Sequence, residues 1–440
     1  MFVNAFNFRK NMLHCLWLNV LLIKSASYRE EEIMFLFANI LGIFVFTAIA
    51  ALFSRDKKNI QWRSVGIVLV IELALAWFFT QFKAGQLAVQ GAADGFNWLV
   101  SVASQGIAFA LPEWLTSNNG GPNFVTSALL PILLVVPLFD ILTYIGVLPW
   151  LIKWIGKGLA FITGQPKFEA FFSIEMMFLG NTEVLAVSKS QLNHMSASRN
   201  FTLAMMSMSC VTSAIIGSYT QMVPGKYVLT AIPLNILGAI IITSILNPNK
   251  VAPADDVIVN INEKGTKKEP FFSFLGDSIL GAGKLILIIT ATVIAFVSLA
   301  ALINQLFSLT GLHWLTLENI FGVIMFPFAW LLGFNIDDAF KLAQFMGTKL
   351  VTNEFVVMGE VSKSIMAGKG LFANEHARIV LTVFLTSFAN FGTIGMIIGA
   401  FKGLVDKEKN DFISSRVPYM LLSGILVSLL SAATAGLFVW

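Results

Sequence analysis

Phe178-Leu-Gly-Asn-Thr-Glu-Val-Leu-Ala-Val-Ser-Lys-Ser190 sets Gly180, Asn181, Thr182 and Glu183 inside an apolar run. An ionised acid at the centre of a bilayer costs roughly 2.5–3.5 kcal/mol on insertion scales, so such a patch persists where it lines a cavity filled by water or ligand. A second stretch echoes the first: Leu350-Val-Thr-Asn-Glu-Phe-Val-Val357, closing in Val361-Ser-Lys-Ser364. Both carry Asn and Glu in a short polar patch, then valines, then Val-Ser-Lys-Ser. The chain reads as two related halves, each contributing one polar tip to a shared site.

Composition fixes the solvent. Of 440 residues, 56% are hydrophobic and 12% charged, against about 25% charged in soluble domains. Several apolar runs approach the roughly 20 residues that a spanning helix needs, and a helix satisfies its own backbone in lipid. The fold class is therefore all-α integral membrane, with about eight transmembrane helices plus two re-entrant helical hairpins. The net charge of +4 resides in loop lysines and implies no nucleic-acid partner. Cys15 and Cys210 form no CxxC pair, and His14, His194, His313 and His376 form no HExxH. No disulfide framework, metal centre, metalloprotease or cofactor is implied.

Residues 1–33 stand apart. Their one apolar run, 15–23, is too short to cross, lies among Arg9, Lys10, Lys24 and Arg29, and lacks a small-residue cleavage site after it. They read as an extension outside the fold, with translation expected to begin near Met34. Spans are expected at 34–53 and 65–82, joined by a basic, hence cytoplasmic, segment at 54–63. Residues 84–123 contain no Lys or Arg and read as extracytoplasmic with an interfacial helix; 34–123 is the scaffold. The first repeat, 124–246, runs from a span at 124–148, kinked by Pro131 and Pro137, through a hairpin at 168–195 to spans at 200–222 and 227–246. A polar cytoplasmic loop covers 247–275.

The second repeat, 276–440, has the same plan. It holds a span at 276–306, an apolar segment at 317–333, a hairpin at 337–364, an interrupted span at 378–401 and a last span at 418–439. Charge bias places the two hairpins on opposite faces, the inverted-repeat arrangement of a secondary transporter with its site where broken helices meet. Lys341, Lys349 and Lys363 run against that bias, so pairing or snorkelling is expected of them.

Four polar groups fall where helices are expected to break: Asn181, Thr182 and Glu183; Asn353 and Glu354; Asn390 and Thr393; and residues 210–213. An amide both donates and accepts, and a carboxylate accepts from two hydroxyls. No arginine cluster is present to grip phosphate or carboxylate. The solute is expected to be uncharged and rich in hydrogen-bonding groups, with Phe355, Phe388 and Phe391 as walls. Against this stands a plainer reading, in which Asn390 and Thr393 join helices. Intramembrane acids such as Glu183 and Glu354 belong on a pathway. Glu175 is a further buried acid, Glu72 a packing or interfacial one. His194 reads as solvated at a hairpin end, and His376 as a helix-start residue.

At these motifs the sequence resembles the concentrative nucleoside transporter family, in its bacterial proton-coupled type. Gly180-Asn-Thr-Glu183 stands where the family has Gly-Gln-Thr/Ser-Glu. Thr352-Asn-Glu-Phe-Val356 is close to its Asn-Glu-Phe-Val motif, and Phe388-Ala-Asn-Phe-Gly-Thr-Ile394 to its Phe-Ala-Asn-x-x-Ser-Ile. Gly164-Gln-Pro-Lys-Phe-Glu169 also matches, and the likeness covers about 34–440. The resemblance implies a homotrimer of the cell membrane importing nucleosides by an elevator-like motion. It implies that Asn181, Thr182 and Glu183 face the base and that Glu354, Asn390 and Thr393 hold the ribose. Asn353 would support the second tip, Ile215 would line the base pocket and Phe388 would lie near the sugar.

Two departures bear on coupling. Sodium-coupled members have Asn where this chain has Met176, and Ser where it has Cys210. Sulfur ligands suit a hard cation poorly, so proton coupling is expected, through Glu183, Glu354 or Glu175. Asn181 is one methylene shorter than the family's Gln, which favours acceptance of purines. The alternatives are a sodium-coupled symporter, or a membrane sensor or enzyme on the same scaffold. A catalytic reading lacks a nucleophile–base set.

Overall fold

The computed structural model describes residues 32–115, 123–252, 254–256, 258, 269–312 and 314–440, the side chains of 115, 181–183 and 214 excepted. The expectations for 1–31, His14, Cys15 and His313 therefore lie outside the described residues.

Twenty helices follow in order among the described residues. The scaffold holds α1 (Glu32–Leu52), α2 (Trp62–Thr80), α3 (Lys83–Ala110) and the short α4 (Pro112–Leu115). A π-turn (Val125–Leu129) leads into α5 (Ile132–Tyr144), then α6 (Val147–Thr163). The first hairpin is α7 (Lys167–Leu179) returning through α8 (Asn181–Val187) and α9 (Lys189–His194). There follow α10 (Ala197–Met206), α11 (Ser213–Thr220) and α12 (Gly225–Leu246). The second half holds α13 (Phe271–Ser308), α14 (Leu317–Trp330) and the hairpin α15 (Ile336–Val351) and α16 (Glu354–Ala367). It ends with α17 (Glu375–Leu385), α18 (Phe391–Leu404), α19 (Lys407–Ser414) and α20 (Val417–Gly436).

Among the described residues, 6 helices are long and apolar enough to span a bilayer. Two further paths are broken in the middle: α10 to α11, and α17 to α18. Together they account for the eight spans expected. The segment 200–222, expected as one span, is interrupted at 207–212. Ser207, Ser209 and Thr212 lie in that gap, buried; short hydroxyl side chains compete with the helical ladder for its backbone groups. The region 84–123 is mostly one long helix, α3, packed on α2, α11 and α12.

Corresponding elements of the two halves meet. α5 packs on α13 and α12 on α20, while each hairpin's first arm lies along the helix before it, α7 on α6 and α15 on α14. The core sits on α12 and α20, most residues of which are buried. α13 is the opposite case: Leu280, Leu287 and Ile294 stand out from it, each more than 60% exposed. In an aqueous protein such a ridge would be a liability; against lipid it is the normal surface.

The structure narrows the sequence readings of Glu72 and Lys349 and bears out that of His376 as a helix-start residue. Glu72 is not interfacial: it is wholly buried, and Thr434 Oγ1 donates to its Oε1 at 3.0 Å. Lys349 does not snorkel: it is wholly buried, whereas Lys341 and Lys363 are exposed. His376, at the start of α17, is also buried, its ring nitrogens within 3.1 Å of the Leu332, Gly436 and Val439 carbonyls. His194 is exposed at the end of α9.

Candidate functional site

The two polar stretches do form bends, by different means. In the first hairpin the chain turns at Gly180, with φ +92° and ψ 167°. A side chain is strained there, and glycine is not. In the second, Asn353 is the N-cap of α16: its Oδ1 accepts from Val356 N at 3.1 Å, satisfying one orphan donor of the new helix. The break before α18 repeats that device. Asn390 Oδ1 accepts from Thr393 N at 2.9 Å and from Thr393 Oγ1 at 3.1 Å.

These three bends converge on one cavity of about 280 Å³, just under the roughly 300–1,000 Å³ typical of small-molecule pockets. Phe178, Leu179 and Gly180 line it from the first bend, and Thr352, Asn353, Glu354 and Phe355 from the second. Phe388, Asn390 and Thr393 come from the α17–α18 break, Thr212 and Ile215 from the α10–α11 break. Of the residues singled out in the sequence, Ile215, Asn353, Glu354, Phe388, Asn390 and Thr393 are thus brought together. The side chains of Asn181, Thr182 and Glu183 lie outside those described; their backbone opens α8 directly after the cavity-lining Gly180. Phe391 is not a wall: it is 43% exposed and absent from the lining. Glu175 is buried within the first hairpin, outside the lining, and its Oε2 has no hydrogen-bond partner.

Glu354 is the hub. Tyr219 Oη donates to its Oε1 at 2.9 Å and Asn390 Nδ2 to its Oε2 at 3.1 Å, all three groups buried. Phe355 packs edge-on against Tyr219, ring centres 5.1 Å apart. The first bend is tied in by Ser213, whose hydroxyl donates to the Phe178 carbonyl at 2.7 Å. At its base Arg199 grips Glu169 with two bonds of 2.7 Å, the bidentate geometry that fixes orientation. Near the bend, Met176 is wholly buried and its sulfur receives the Ser207 hydroxyl at 3.5 Å; Cys210 is buried in the gap after α10.

Tyr219, Asp140 and Asp277 were missed in the sequence. Asp140 and Asp277 line the cavity from α5 and α13, and Ser278 donates to Asp140. Their signal was available, an acid inside an apolar span. Tyr219 carried none, because its partner lies 135 residues away.

An all-helical bundle with broken helices meeting at a polar-walled cavity is an integral membrane solute carrier. Two family models match, the Na+ dependent nucleoside transporter N-terminus over residues 41–114 and its C-terminus over 227–436. The purine nucleoside transport protein NupG of Bacillus subtilis is 46% identical over 92% of this chain and 100% of its own length. The solved structure of CNTnw in an inward-facing substrate-bound state superposes with a TM-score of 0.84 at 26% identity, covering 92% of this chain and 98% of that one. A doubly substituted CNTnw in an outward-facing state gives 0.83 at 26% identity, over 92% and 99%. The chain belongs to the concentrative nucleoside transporter family; it is a nucleoside transporter and not an enzyme.

Proposed function

We propose that this transporter imports nucleosides by proton symport across a bacterial cell membrane, as a homotrimer whose hairpins are re-entrant and move elevator-fashion. The observation that carries the substrate site is the convergence of both bends on one cavity around Glu354. Glu354, Asn390 and Thr393 take the ribose hydroxyls; Asn181, Thr182, Glu183 and Ile215 take the base. Phe388 lies against the sugar, and Asn353 holds the second tip through its cap. The similarity to NupG, a purine nucleoside transport protein, and the short Asn181 together support a purine nucleoside.

Coupling rests on donor chemistry. Sodium wants several oxygens, and Met176 and Cys210 offer sulfur. Glu183, Glu354 and Glu175 are the carboxylates available to carry a proton. Of these, Glu354 is engaged on both oxygens, whereas Glu175 keeps a buried oxygen unpartnered. The sodium-coupled reading is favoured by the description of the matching family models. Uptake of labelled inosine into vesicles under an imposed proton gradient, then a sodium gradient, separates the two. Proton-driven uptake that a protonophore stops is expected; sodium-driven uptake indifferent to protonophore refutes proton coupling.

A further inference from the structure

Lys349 is the least expected charge in the molecule. It sits in the last turn of α15, five positions before Glu354, and is wholly buried. A buried ammonium normally needs a counter-charge, yet among the described residues no carboxylate lies within 4.0 Å of it. Its Nζ donates instead to the Phe384 carbonyl at 2.5 Å and to Ser387 Oγ at 2.6 Å, and lies 4.5 Å from the centre of the Phe384 ring. Phe384 belongs to the last turn of α17, where carbonyls lack intrahelical partners and carry the negative end of the helix dipole. Lys349 therefore caps the C-terminus of a helix that is not its own. Ser387 Oγ pairs in turn with Ser428 Oγ of α20 at 2.6 Å.

This gives the α17–α18 break two anchors on the second hairpin. Lys349 holds the end of α17, and Glu354 holds the start of α18 through Asn390. The distance between Glu354 and Asn390 is set by both. We propose that Lys349 is a positioning residue of the sugar half of the site: by clamping the end of α17 to α15 it holds Glu354 and Asn390 at the spacing that reads ribose hydroxyls. The proposal rests on the reading of Glu354 as a ribose ligand.

The test is inhibition of labelled inosine uptake by unlabelled inosine and by 2′,3′-dideoxyinosine, which lacks those hydroxyls. The amount of transporter in the membrane is measured alongside. Lys349→Met is expected to weaken inosine about tenfold and the dideoxy compound less than about twofold, the loss of one charge-assisted positioning contact. Lys349→Arg, which keeps the charge and the donors, is expected to recover part of the preference. A merely structural role lowers the maximal rate, or weakens both compounds equally, and that result overturns the proposal. Should Lys349→Met fail to reach the membrane, Ser387→Ala removes one acceptor and leaves the ammonium; it is expected to lower the preference by about twofold, and an unchanged preference overturns the proposal equally. Glu354→Gln run in parallel separates the layers. If it too keeps the preference, the ribose assignment fails; if it loses the preference while Lys349→Met retains it, only the role of Lys349 fails.

Discussion

The two hairpin bends reach the same cavity by opposite strategies. The first turns on Gly180, whose φ of +92° no other residue adopts without strain, and no side chain caps α8. The second turns on Asn353, a capping amide, and its next residue, Glu354, is held by Tyr219 and Asn390. One bend is made by the backbone, the other by a network of side chains. On the proposed reading, the backbone turn serves the base half of the site and the side-chain network the sugar half.

Substitutions should therefore break the two bends differently. Gly180→Ala is expected to have the largest effect, because the strain of about 1–3 kcal/mol falls on the turn itself; uptake is lost for every nucleoside, and no conservative replacement restores it. Asn390→Ala removes a cap worth about 1 kcal/mol and a donor to Glu354 together, so nucleoside affinity and thermal stability both fall. Asn353→Ala removes a cap alone and should lower thermal stability by about 1 kcal/mol, largely recovered in Asn353→Asp. Tyr219→Phe keeps the ring contact with Phe355 and deletes one bond to Glu354, leaving a buried acceptor oxygen without its donor, so a weaker apparent affinity and a lower thermal stability are expected. Asn181→Gln is the mildest: it should move the balance between purine and pyrimidine nucleosides and leave ribose discrimination alone, and an unchanged balance would count against base contact by the first tip.

Both bends were legible because each breaks an apolar run with residues that have a local reason to do so. Gly180 supplies a backbone no side chain allows, and Asn353 and Asn390 stand where caps stand. The fold followed from that, since a hairpin, a broken helix and a span recur in each half. Local reasoning did not reach the contacts that close the site. Tyr219 meets Glu354 across 135 residues, and Lys349 meets Phe384 across 35. It also underrated how far amides serve the backbone: Asn390 Oδ1 is already occupied by Thr393 before any solute arrives. Burial of Lys349 was missed because a lysine near a helix end normally reaches for water, and nothing nearby in sequence announces the α17 carbonyl that holds it.

Equilibrium binding of labelled inosine to purified wild-type protein and to Glu354→Gln probes the shared cavity without any assumption about coupling. Affinity weaker by roughly ten- to a hundredfold is expected, the worth of hydrogen bonds to a charged acceptor. Wild-type affinity in Glu354→Gln would contradict a nucleoside site built around the second bend.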